Sequence, residues 1–179
     1  MSDSGNENHS RAARDGPRFR SVLFICAANT ARSIMAEHLL RVELRRRAMD
    51  GRVIVKSAGI APYARDGALV SLDTRFALRD DGIDLGEEAT STDLKRHPEL
   101  LGWADLIIAM TRAQALELTE KFPAAAGRTI YTLREFAGEA GDLEDPYEKG
   151  EQVFAACREE IKRLLPRIVH RIHGAEGCP

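Results

Sequence analysis

The segment Cys26-Ala27-Ala28-Asn29-Thr30-Ala31-Arg32-Ser33 gathers a thiol, a guanidinium and a hydroxyl within eight residues. A thiolate at Cys26 would be a nucleophile. Arg32, six residues later, offers a fork of N–H donors that matches two oxygens of a phosphate. If the segment wraps a helix N-terminus, several backbone N–H groups converge and make a seat for a tetrahedral oxyanion. The same positive field would favour the thiolate, and Ser33 could donate its hydroxyl proton to the sulfur. A cysteine at a strand end is equally suited to being a small buried hydrophobe, and this Cys–Arg spacing also arises by chance. Spacing alone leaves both readings open.

The segment Asp142-Leu143-Glu144-Asp145-Pro146-Tyr147 could supply the other half of such chemistry. An oxygen leaving group needs an acid to protonate it, and a thiophosphate needs a base to activate water against it. Asp145 could serve as both. Its acidic neighbours Asp142, Glu144 and Glu148 are like charges that would favour the protonated form. Pro146 biases Asp145 toward an extended backbone outside the helix that follows. A solvated acidic loop has the same composition.

The hydrophobic pattern provides the elements that must position these residues. Ser21–Ile25 has apolar residues on both faces, as a central parallel strand requires, and it stops at Cys26. From Met35 to Val42 apolar residues recur three or four apart, predicting a helix whose other face carries Arg41, Arg45, Arg46 and Arg47, with Gly51 as its stop. Val53–Val55 predicts a second strand ending in Ser57-Ala58-Gly59. Residues 68–80 predict a helix closed by Asp80-Asp81-Gly82, and residues 99–103 a short helix after Pro98. Leu106–Met110 is the third strand, Thr111 the N-cap of a helix toward Phe122, Thr129–Thr132 the fourth strand, and 151–173 a long last helix. Strands alternating with helices imply βαβ units and a parallel sheet. The prediction is one α/β domain over 18–173 with helices on both faces, flanked by a flexible N-terminal tail (1–17) and a C-terminal tail (174–179). Ligands of such sheets bind beyond the carboxyl ends of the strands, which is where Cys26 falls.

The 179 residues suffice for one domain, and 44% hydrophobic with 30% charged residues excludes a low-complexity polymer. With 26 Lys+Arg against 28 Asp+Glu, the chain lacks the basic surplus of a nucleic-acid binder driven by bulk charge. No apolar run approaches the ~20 residues of a membrane span, and the polar N-terminus has no apolar stretch of a secretion signal. A cytoplasmic protein is expected. Cys26, Cys157 and Cys178 show no metal spacing and are expected as free thiols in a reducing compartment, although a Cys157–Cys178 pair is conceivable.

Taken together, the 26–33 segment near the N-terminus, Ser57-Ala58-Gly59 after strand two and the late Asp145-Pro146 resemble the low-molecular-weight protein tyrosine phosphatases, over roughly residues 20–173. The resemblance implies a four-stranded parallel sheet in the order 2-1-3-4 with a phosphate-binding loop, Ala27 to Ser33, after strand 1. It implies Cys26 as the nucleophile that becomes phosphocysteine, Arg32 as the phosphate ligand and transition-state stabiliser, and Asp145 as general acid. Asn29 would hold the loop's strained shape and Ser33 would assist the thiolate. Thr30, Tyr63 and Tyr147 would border the substrate. No metal or organic cofactor is implied, and the partner would be a phosphorylated protein. Three positions depart from the family: Ala28 stands where Gly is usual, Ile34 where Pro is usual, and Ala31 where a second cysteine is common. Without that cysteine, an oxidised Cys26 has no resolving thiol in the loop. Thr30 stands where phosphotyrosine-specific members often carry a larger aliphatic residue and resembles relatives that hydrolyse protein phosphoarginine. Phosphotyrosine is the first substrate reading and phosphoarginine the alternative.

Two other readings compete. Thioredoxin-coupled arsenate reductases share this fold but relay a disulfide through further cysteines, and residues 80–105 contain none. A catalytically weak anion-binding or regulatory module would explain Ala28, Ala31 and Ile34, yet has no need of Cys26, Arg32, Ser33 and Asp145 together. Trp103 reads as a core residue or a helix-face anchor. His38, His97, His170 and His173 lack ligand spacing. The Arg41–Arg47 cluster reads as a solvated helix face or as a surface that steers a phosphoprotein.

Overall fold

In the strand β1 (Ser21–Cys26) every residue is buried. It pairs in parallel with β2 (Ile54–Gly59) on one side and β3 (Leu106–Ala109) on the other, and β4 (Ile130–Thr132) joins beside β3. The sheet order is β2-β1-β3-β4, the order implied by the sequence resemblance. These relations come from a computed structural model that describes residues 16–174. Nearly all of both predicted tails, and Cys178, lie outside the described residues.

Both faces of β1 are apolar because helices cover both. Val22 and Phe24 face one core, closed by α1 (Arg32–Arg46), α2 (Leu72–Arg79), α5 (Leu133–Phe136) and α6 (Glu151–His173). Leu23 and Ile25 face the other, closed by α3 (Glu99–Trp103) and α4 (Arg112–Lys121). The parallel register sets Cys26 beside Gly59, and Ala109 beside Thr132, so the carboxyl ends of all four strands share one rim. Among the described residues no helix is long and apolar enough to cross a membrane.

Local chemistry moves several predicted boundaries. The second helix begins at Leu72 rather than 68 because the Ser71 hydroxyl accepts the Thr74 N–H and caps it there. The first helix is left at Arg46, and the chain turns through Ala48 (φ 53) before reaching Gly51. Sequence reasoning missed α5, although Thr132-Leu133-Arg134-Glu135 carries its signature. The Thr132 hydroxyl accepts the Glu135 N–H while the Glu135 carboxylate accepts the Thr132 N–H, a reciprocal capping box.

Candidate active site

Cys26 is the last residue of β1, and α1 begins six residues later at Arg32, so the intervening loop curls over the positive end of a helix. Neighbouring strands fix its height. The Cys26 and Ala27 carbonyls accept the N–H groups of Ile60 (3.1 Å) and Ala61 (3.0 Å), which follow β2. Across the gap stands Gly59, where a Cβ would lie 2.8 Å from Ala27 O and from the Ala28 carbonyl carbon. On its other side the Thr30 carbonyl accepts the Ser71 N–H (3.2 Å) and the Thr74 hydroxyl (3.1 Å) at the start of α2.

Asn29 is the loop's keystone. It is buried and left-handed (φ 60), a conformation its short amide tolerates better than most side chains. Its Nδ2 donates to Ser33 Oγ (2.9 Å) and Ser57 Oγ (2.8 Å), its Oδ1 accepts the Thr92 N–H (2.8 Å), and its backbone N–H points at Cys26 Sγ (3.2 Å). Both amide donors are therefore spent. Because Ser33 Oγ accepts from Asn29, its own proton is free for Cys26 Sγ at 2.9 Å. Because Ser57 Oγ also accepts from Asn29, its proton goes to Glu37 Oε2 in a very short contact. Glu37 is buried in α1, one turn beyond Ser33. Burial pushes its carboxyl above the ordinary range, against the pull of Arg41, which pairs with Oε1 at 2.5 Å. The polarity of the chain is thus directed outward from Asn29, one branch ending on sulfur and the other on a carboxylate.

Arg32 is 5% exposed. Its Nη1 donates to the Leu143 carbonyl (3.1 Å) and its Nη2 to Asp145 Oδ2 (2.5 Å). The 142–145 loop is moored to the sheet rim, since the Leu143 N–H donates to Met110 O (3.0 Å) just past β3. The expected acidic cluster does not act as one group. Asp142 accepts the Arg112 N–H (2.8 Å), and Glu144 pairs with Lys149 (2.8 Å), which holds it below the ordinary carboxylate range. Asp142, Glu144 and Asp145 thus each have a partner of their own.

A cleft of about 510 Å³ opens above Arg32 and Asp145, with Ala27, Tyr63, Thr111 and Glu117 among its walls. Lys95 holds the Tyr63 loop in place by donating to the Ala61 (2.7 Å) and Ala64 (3.3 Å) carbonyls. Tyr63 and Tyr147 are both exposed. Tyr63 lines this cleft, whereas the Tyr147 ring and Thr30 are not among its walls. Tyr147 meets the site through its backbone N–H, which donates to Asp145 Oδ1 (3.2 Å). Cys157, on α6, is a free buried thiol in the same core as Cys26. Sequence reasoning overlooked Glu37, Thr92, Lys95 and the Leu143 carbonyl. Only Glu37 carried a readable signal, a lone carboxylate four residues from Ser33 on the apolar face of a helix.

Residues 21–176 match the family described as low molecular weight phosphotyrosine protein phosphatase. A protein-arginine-phosphatase of Geobacillus stearothermophilus is 34% identical over 152 residues, covering 84% of this chain and 95% of that protein. A probable low molecular weight protein-tyrosine-phosphatase of Ralstonia nicotianae is 33% identical, covering 86% and 96%. Among solved structures, an arginine phosphatase from Geobacillus stearothermophilus superposes with TM-score 0.72 at 33% identity, over 85% of this chain and 92% of that one. A low molecular weight protein tyrosine phosphatase from T. tengcongensis superposes with TM-score 0.75 at 31% identity, over 84% and 98%. The chain belongs to the low molecular weight phosphotyrosine protein phosphatase family.

Proposed function

We propose that the protein is a cysteine-dependent phosphoprotein phosphatase working through a phosphocysteine intermediate. The observation that carries this reading is the hydrogen-bond chain ending on Cys26 Sγ at the start of the loop whose far end, Arg32, pairs with Asp145. Ser33 and the Asn29 N–H stabilise negative charge on sulfur, and the α1 terminus adds its dipole. An arriving phosphate dianion competes with Asp145 for Arg32, so binding substrate releases the carboxyl group beside the leaving oxygen. The thiolate attacks phosphorus, the P–S bond forms as the P–O bond breaks, and Asp145 gives its proton to the departing oxygen. In the second step Asp145 takes a proton from water, the new hydroxide oxygen bonds to phosphorus, and the P–S pair returns to sulfur. The proton Asp145 gives in the first step is one its carboxylate takes up from solvent on leaving Arg32, and the second step restores it from water, so the cycle balances without a cofactor. The reading places the enzyme in the cytoplasm, whose reducing poise keeps Cys26 a thiol.

Phosphotyrosine is the first substrate reading, in line with the family. Phosphoarginine is favoured by two observations: Thr30 in the loop, and Glu117, Asp142 and Glu144 lining the cleft beside Asp145, which suit a cationic guanidinium leaving group better than a phenol. Relatives with each activity are similarly distant.

Hydrolysis of p-nitrophenyl phosphate tests the reaction. Turnover abolished by Cys26→Ser and competitively blocked by vanadate is expected. A pure, folded protein that binds phosphate without turnover would instead be an anion-binding module. Phosphotyrosine and phosphoarginine peptides assayed side by side, and again with Thr30→Ile, decide the leaving group. An unchanged preference in the variant removes Thr30 as the selector.

A further inference from the structure

A second cavity, of about 400 Å³, lies away from the cleft, between the C-terminal half of α1, the edge strand β2 and the turn after α2. Leu44, Val53 and Ile83 give it an apolar floor, while His38, Arg41 and Arg45 form its α1 wall. Ile54, also in the lining, is a large apolar side chain left 53% exposed. Among the described residues the Arg45 guanidinium makes no hydrogen bond or ion pair. Arg41 uses one nitrogen, Nη2, for both Glu37 (2.5 Å) and the Val55 carbonyl (2.7 Å), so donors of two guanidiniums remain for a ligand. His38 reports the field between them. Burial and then the charges of Arg41 and Arg45 push its pKa down to about 4, so it stands neutral in a positive pocket. The one carboxylate in the lining, Asp50, lies beyond the end of α1, which orients an anion with its charge toward α1 and its body toward Ile83.

We infer that this cavity is a regulatory site for a small organic anion, a carboxylate or phosphate monoester with an apolar body, whose binding is transmitted to Cys26. The route is the directed chain described above: Arg41, Glu37, Ser57, Asn29, Ser33. A ligand that shares Arg41 weakens the counter-charge of Glu37, which burial already biases toward its neutral form. Neutral Glu37 is a poorer acceptor for Ser57, and Ser57 then anchors Asn29 less firmly. The left-handed Asn29 relaxes and the nucleophile loop loosens, so turnover falls while phosphate contacts through Arg32 persist.

The transmission rests on the phosphatase reading; the binding does not. The probe is 2-naphthoate, titrated calorimetrically into the full chain with vanadate filling the phosphate seat. Binding in the vanadate-loaded protein, weakened at least about tenfold by Arg45→Ala, is expected from the loss of charge-assisted hydrogen bonds. In p-nitrophenyl phosphate assays naphthoate should lower kcat several-fold with little change in KM, and lose that effect in Arg45→Ala. Absence of binding at millimolar naphthoate, binding that vanadate abolishes, or binding indifferent to Arg45→Ala overturns the site. Binding that leaves kcat untouched overturns the transmission. If the protein hydrolyses nothing, the phosphatase reading fails while the calorimetry still decides the cavity.

Discussion

Arg32 Nη2 and Asp145 Oδ2 meet at 2.5 Å although 113 residues separate them in the chain. Arg32 is buried while the Asp145 side chain is 49% exposed, so one partner is fixed and the other free to leave. In the proposed mechanism, substrate binding exchanges a carboxylate for a phosphate on the same guanidinium. Asp145→Asn should therefore spare phosphate binding and cost kcat on the order of 10²–10⁴-fold for poor leaving groups. The loss should shrink for p-nitrophenol, which leaves with little help. Measuring kcat across a series of aryl phosphates checks this, and a loss independent of leaving-group basicity would exclude Asp145 as the acid.

Asn29 combines backbone and side-chain duties that two variants can separate. Asn29→Ala loses the three amide bonds and strains a positive φ, with an expected cost of about 2–3 kcal/mol in urea unfolding. Asn29→Gly removes the strain but not the lost bonds. It should recover part of the stability while kcat stays roughly 10²-fold down, the scale set by small misplacements of reacting groups. Full activity in Asn29→Gly would mean that the amide network is dispensable.

His38 makes stability depend on acidity. Its folded pKa of about 4 lies below its ordinary 6.5, so between these values the unfolded chain binds the proton better. That stability is present above pH 6.5 and is lost as pH falls toward 4, up to about 3 kcal/mol for a shift of this size. Urea midpoints at pH 7 and pH 5 should converge in His38→Gln compared with wild type. Equal slopes in the two proteins would refute the assignment.

Oxidation should be poorly reversible. Ala31 offers no thiol in the loop, and Cys157, in the same core as Cys26, is pushed up to about 12 by burial, outweighing the opposing pull of Arg32. A neutral buried thiol is a weak attacker of a sulfenic acid, so Cys26 would pass to irreversible states. After peroxide, dithiothreitol should restore only part of the activity of wild type and more of it in Ala31→Cys. Full recovery in wild type would show that another thiol resolves Cys26.

The strands and most helices were legible because their signals are local. Apolar runs such as Leu106–Ala109, the Thr111 cap and the stop at Gly82 each need only a few neighbours to be read. The sheet order was legible only through the family resemblance, since periodicity does not say which strands pair. The 26–33 segment could be singled out, but the atoms that hold it come from elsewhere: Thr92 from a stretch without periodicity, and Leu143 through a backbone carbonyl that no side-chain type announces. Adjacency in sequence made Asp142, Glu144 and Asp145 look like one cluster, whereas Arg112, Lys149 and Arg32 draw them in separate directions.

Gly59 contributes no functional group, yet the loop that carries Cys26 rests against the space where its side chain would be. The last residue of β2 thus works as a gauge block for the reaction. A methyl there is a wedge under Ala27 and Ala28, tilting the turn that aims Asn29 while leaving thiol, guanidinium and carboxyl chemically intact. A lineage of this protein could fall silent through that one added carbon, keeping every residue by which an enzyme of this kind is recognised.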